Sequence, residues 1–209
     1  MEPRPRPPAS NRTDQSLRDS ALINYTLYQA GWFACVLGGA WQWPWTGFGI
    51  GLILLLVQIG ISTDRGRDAR LIAVTVAVGL GVEVIQIAAG TYSFSSGTFI
   101  AAFPPAWMLM LWAQFAATFA FSLKPIIARP VAAAAFGAVG GPIAFIAGDG
   151  LGAVTLLPPM TTGLLLLALS WGVAMTLLSA IARRALSAVG PEANPGIGTA
   201  RPRTNDLGV

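Results

Sequence analysis

The chain has 209 residues, 54% of them hydrophobic and only 11% charged, with a formal net charge of +4 and a mean hydropathy of +0.63. A soluble domain carries about 25% charged residues, so this composition excludes an ordinary soluble fold and points to an all-α, polytopic membrane helix bundle. The 13 Lys and Arg residues are spread among loops with no basic stripe, which excludes a nucleic-acid partner.

The N-terminal segment, residues 1–22, is rich in Pro and Arg and has no apolar core, so it reads as a disordered cytoplasmic tail and not as a cleavable signal. A first apolar helix is expected at 23–41. It carries Asn24, Tyr28 and Gln29 in its first turns and the single cysteine, Cys35, which has no second cysteine to pair with. Trp41, Trp43 and Trp45 crowd the following turn, where amphipathic rings suit a headgroup layer. Pro44 marks the entry to a second helix, expected at 46–62, which carries Gln58.

After the basic stretch "TDRGRDAR" a third helix is expected at 71–90. Within it lies "VAVGLGVEVIQIAAG" (76–90), where Glu83 is the only acidic residue well inside a predicted span. Pro104–Pro105 open a fourth helix, 104–123, with Gln114 in its middle. "KPIIAR" leads to a fifth, 130–148, where Gly137 and Gly141 form a GxxxG packing pair and Pro142 favours a kink. Asp149 follows at its end, expected to be a turn residue or one ligand of an outward-facing polar pocket. "LGAVTLL" (151–157) is apolar but too short to span, so it either extends the fifth helix or lies at the interface. A sixth helix is expected at 160–182, and residues 185–209, again rich in Pro and Arg, read as a second disordered cytoplasmic tail. The six-helix transmembrane domain thus covers 23–184.

Charge orders these spans. All 13 basic residues fall on one side of a six-helix arrangement, among them Arg65, Arg67, Arg70, Lys124, Arg129, Arg183 and Arg184. Cationic loops stay cytoplasmic, so both termini of a multi-pass membrane protein are expected on the cytoplasmic side. The topology permits a three-plus-three inverted repeat, but the two halves show no internal similarity.

The polar residues inside the spans are the candidate site. Counted from Leu71, Glu83 lies about 18 Å into its helix, a little past the midplane, where desolvation favours the neutral acid. Gln86 shares its helix face, and Gln114 reaches a similar depth, so Glu83, Gln86 and Gln114 are expected to form one intramembrane cluster. Asn24, Tyr28, Gln29 and Gln58 form a second possible set nearer the cytoplasmic face. Such side chains commonly hydrogen-bond helices together, at about 0.6–2 kcal/mol per pair. An intramembrane carboxyl is also a functional candidate by default, binding a proton, a cation, or a lipid or quinone-like ligand. The absence of histidine excludes His-held haem, His-box di-iron chemistry and His acid–base catalysis. No metal, no cofactor and no catalytic residue is assigned.

"LYQAGWFACVLGGA", "PPAWMLMLWAQFAATFAFSL" and "AAAAFGAVGGPIAFIAGDGLGAV" resemble, in order and spacing, the bacterial integral-membrane family called domain of unknown function 2878, over about residues 22–185. The resemblance implies a small multi-span inner-membrane protein. It also implies a membrane-lipid context, because the family's members look like genomic neighbours of cyclopropane-type fatty-acid methylation genes. It brings no catalytic residues.

Three functions follow as expectations. The first is a non-catalytic accessory or scaffold protein in membrane-lipid (fatty-acid) modification, with membrane lipids and a membrane-bound or peripheral lipid-modifying enzyme as partners. The second is a small transporter or flippase with a pathway past Glu83. The third, an enzyme on a lipid or isoprenoid substrate, ranks last because the chain has neither histidine nor paired carboxylates.

Overall fold

A computed structural model describes residues 9–62 and 64–187, with side-chain surroundings from residue 21 onward. Seven helices and one two-stranded ribbon follow in the order α1 (Ala9–Ala40), α2 (Pro44–Gly60), α3 (Arg65–Ala88), β1 (Tyr92–Phe94), α4 (Ala106–Ala116), α5 (Lys124–Ile127), α6 (Pro130–Gly150), β2 (Val154–Leu156) and α7 (Met160–Ser187). The fold is an all-α, multi-pass membrane helix bundle. α3, α6 and α7 are each long and apolar enough to cross a membrane, while α2 and α4 are apolar but shorter. α1 is already helical at Ala9, N-terminal of the start expected at residue 23. Residues 1–8 and 188–209, the outer parts of the two expected tails, lie outside the described residues, as does Thr63.

Local chemistry sets the helix ends. Pro44 and Pro130 stand at first helical positions, where the missing N–H costs nothing and the fixed φ suits a helix. Asp64 caps α3 by accepting from the Arg67 amide at 2.9 Å. Past α3, Gly90 adopts φ +67°, a left-handed conformation that glycine reaches without strain. It turns the chain back so that β1 re-enters the bundle end. There β1 pairs antiparallel with β2, Tyr92 opposite Leu156 and Phe94 opposite Val154. Residues 151–157 therefore do not extend the fifth span. Part of the segment is the second strand of this ribbon.

α4 is the central element. It packs against α1, α2 and α3, while α3 also reaches α7, and α7 pairs with α6. Nine of the residues of α4 are buried, from Trp107 to Ala116. By contrast, the outward faces carry exposed Ile53, Leu56 and Val57 on α2, Val139 and Ile143 on α6, and Leu165, Leu169 and Val173 on α7. A surface apolar on its outside with polar groups at its centre fits lipid surroundings, where polar groups must be satisfied within the protein.

The expected fourth helix, 104–123, is shorter than predicted. α4 ends at Ala116, and its 11 residues extend only about 17 Å. Pro125 has no N–H to give Phe121 O, which accepts instead from the Lys124 amide at 3.2 Å. The Thr118 hydroxyl donates to Phe115 O at 2.6 Å, and the Phe121 amide bonds Thr118 O at 3.2 Å. The Ala117 carbonyl, released by this break, accepts from Asn24 Nδ2 at 3.0 Å. A broken helix at membrane depth requires such a substitute donor.

Candidate functional site

α1 and α6 form the walls of an apolar groove whose floor is α4, with a cavity of about 110 Å³. Tyr28, Trp32 and Val36 line it from α1, at the four-residue spacing that places side chains on one helix face. Trp107, Leu111, Trp112 and Phe115 come from α4, and Phe136 and Phe145 from α6. The room comes from small residues on α6, since Gly140, Gly141, Ala144 and Gly148 all border the space. A Cβ at Gly140 would meet nothing within 4 Å. Trp171 of α7 also lines the groove, and its buried indole N–H has no hydrogen-bond partner among the described residues. A buried tryptophan N–H ordinarily finds an acceptor.

Glu83 lies behind this aromatic wall, fully buried. One carboxyl oxygen accepts from the Tyr92 hydroxyl at 2.5 Å and the other from Trp112 Nε1 at 3.0 Å. Tyr92 in turn packs on Phe145, with ring centroids 4.4 Å apart, and Trp112 stacks on Trp171 at 4.5 Å. The carboxyl thus joins α3 to α4 and β1 directly, and to α6 and α7 through two aromatic contacts. Space for it exists because Gly79, one turn earlier on α3, lies against the Trp112 ring.

The expected trio of Glu83, Gln86 and Gln114 does not form one cluster. Gln114 is two positions from Trp112 on α4, so the two side chains leave the helix about 200° apart. Gln114 accordingly points to the α1–α2 side, where its amide abuts Gly31 and Gly51 and donates to Cys35 Sγ at 3.8 Å. Gln86 does share the Glu83 side but bonds elsewhere. It donates to Ser170 on α7 at 2.6 Å and accepts from Thr91 at 2.7 Å.

Of the second set, Asn24 and Gln58 meet, at 3.2 Å, and Ser122 joins them by donating to Asn24 Oδ1 at 2.8 Å. Their setting is the end of α4, where they hold irregular backbone. Tyr28 instead packs on Phe115, with centroids 6.0 Å apart, and faces the groove. Gln29 is half-buried and makes no side-chain hydrogen bond among the described residues. Asp149 accepts from the Leu156 amide at 2.9 Å, which ties the end of β2 to the end of α6. Gly137 and Gly141 face α7, where a Cβ would meet Trp171 and Met175, and Pro142 lies inside α6.

Sequence reasoning missed Tyr92, Trp112 and Trp171. Their signal was chemical: a buried carboxyl needs donors, and tyrosine and tryptophan on neighbouring elements supply them without adding charge. Among the described residues no three His, Cys, Asp or Glu side chains gather as a metal site.

A family model described as a protein of unknown function (DUF2878) matches residues 21–177. The chain belongs to this family. The part matched to DUF2878 runs from the expected first span into α7 and takes in every groove residue and every partner of Glu83. Searches of curated proteins and of solved structures found no match.

Proposed function

We propose that this DUF2878 protein is a non-catalytic accessory or scaffold protein in membrane-lipid modification, one that holds a lipid chain in the groove between α1 and α6 for a partner enzyme. The observation that carries the reading is the groove itself, walled by aromatic rings and floored by α4. In a bilayer the molecules at hand to fill such a space are hydrocarbon chains, and the unpartnered Trp171 N–H offers one donor to a carbonyl. The geometry at Glu83 favours this over transport or catalysis. Both of its oxygens are engaged by Tyr92 and Trp112, so it presents neither a free ligand to a passing ion nor one half of an acid–base pair. The proposal includes six membrane crossings, with both termini on the cytoplasmic side of a bacterial inner membrane, because that arrangement keeps every Lys and Arg on one face.

The test is the fatty-acid profile of a deletion strain and its complementation. Deletion should alter the profile, and the parent gene should restore it. Gly140→Phe fills the groove where the backbone leaves open space, so it should fold normally yet fail to complement. Gly81→Phe, at an exposed position with equally open surroundings, should complement fully. Unchanged lipids in the deletion strain, or full complementation by Gly140→Phe, would overturn the reading.

A further inference from the structure

At the opposite end of the bundle from the ribbon, α5 and the last turns of α7 border a second, open cavity of about 550 Å³. Lys124, Arg183 and Arg184 line it together with Ala128 and Ser187, and no carboxylate does. The two elements are held in place there, since Ser179 of α7 donates to Ile127 O at 2.7 Å and Ile127 is fully buried. Of the other cations at this end, Arg129 does not line the cavity, and the three of the α3 start are occupied. Arg67 pairs with Asp68 at 2.8 Å, and Arg65 and Arg70 donate to the carbonyls of Gly60 and Gly66, each at 3.2 Å. Among the described residues the side chains of Lys124, Arg183 and Arg184 make no hydrogen bond or ion pair.

We propose that this cavity is a binding site for the phosphate of an anionic membrane lipid. Three like charges around one space repel one another, and a phosphate placed between them converts repulsion into attraction. Guanidinium groups match phosphate geometry with paired donors. The position selects a lipid as the source. α7 has 28 residues and extends about 42 Å, against roughly 30 Å of hydrocarbon core, so its last turns stand in the headgroup layer. Basic pockets between helices at that level take up anionic headgroups. The apolar side of the cavity, Ile127, Ala180 and Leu186, suits the glycerol and the start of the chains. This site is independent of the groove.

The experiment is a binding and thermal-unfolding series on the full chain in neutral detergent, with phosphatidylglycerol, phosphatidylcholine or inorganic phosphate added. Phosphatidylglycerol should raise the melting temperature, and phosphatidylcholine and inorganic phosphate should not. Lys124→Gln, Arg183→Gln and Arg184→Gln should each weaken phosphatidylglycerol binding about fivefold, and the triple variant should lose the thermal shift. Arg65→Gln and Arg70→Gln should leave binding unchanged. If the triple variant is too unstable to purify, the three single variants decide. Single variants that bind like the parent would overturn the site, and so would an equal loss from Arg65→Gln. A thermal shift as large with inorganic phosphate would overturn the lipid as its ligand.

Discussion

A carboxyl removed from water is tolerated when donors meet its oxygens, and at the scale of single residues Glu83 is defined by the two it has. Tyr92 and Trp112 both offer a hydrogen to it, and neither is charged, so the unit is compact and neutral donors alone satisfy it. Glu83→Leu leaves a buried hydroxyl and a buried indole N–H unpartnered, each costing about 1–3 kcal/mol. Glu83→Gln keeps the shape. Its carbonyl can accept from Trp112 while its amide donates to the Tyr92 hydroxyl, which turns to accept. The Gln variant should therefore melt close to the parent in detergent and complement in cells, and the Leu variant should melt well below it. Tyr92→Phe should cost less in the Leu background than alone, because the partner is already lost. A Leu variant as stable as the parent would sink the structural role, and a Gln variant that folds but fails to complement would assign Glu83 a proton- or cation-linked one.

At the scale of elements, glycines decide how closely helices approach. Gly141 faces the Trp171 ring so closely that even a methyl group has no room, and Trp171 is stacked on Trp112. A large side chain at 141 thus separates α6 from α7 and displaces the donor that serves Glu83. Gly141→Leu should destabilise the bundle by about 1–3 kcal/mol or more, the usual cost of overpacking. Gly140→Leu, one position away over open space, should be nearly neutral. Equal melting temperatures for the two variants would show that α6 is not held to α7 by this contact. The broken α4 follows the same logic with hydrogen bonds in place of volume. Asn24 takes the role of the missing backbone amide at Ala117, which explains a buried asparagine inside the bundle.

At the scale of the whole molecule, the distribution of charge predicts orientation. Cys35 is buried, so reporter cysteines can be introduced at exposed positions and read against a quiet background. In intact cells Gly66→Cys, in the Arg65–Arg70 stretch, should be protected from an impermeant thiol reagent. Thr98→Cys, between β1 and α4, should be labelled. Labelling at 66 from outside would reject the arrangement with both termini inside.

Membrane residence and the approximate places of most helices were legible in the sequence, because apolar length and loop charge are local quantities that need no knowledge of packing. The same holds for Glu83 as the residue to explain, and for the Gly137–Gly141 pair as a packing device. Its partners were not legible. Depth along a helix put Gln114 level with Glu83, but rotation about the α4 axis turned it to the other side and brought Trp112 there instead. Tyr92 reaches the carboxyl only because Gly90 reverses the chain and β1 finds β2, a pairing across 60 residues that neither three-residue strand announces. The groove exists only once α1, α4 and α6 are assembled, since a cavity is a property of how surfaces fail to meet. Periodicity and hydropathy determine what each segment is and where it resides; which side chains face one another is decided by helix rotation and by chain reversals, and those are set by the packing of the whole.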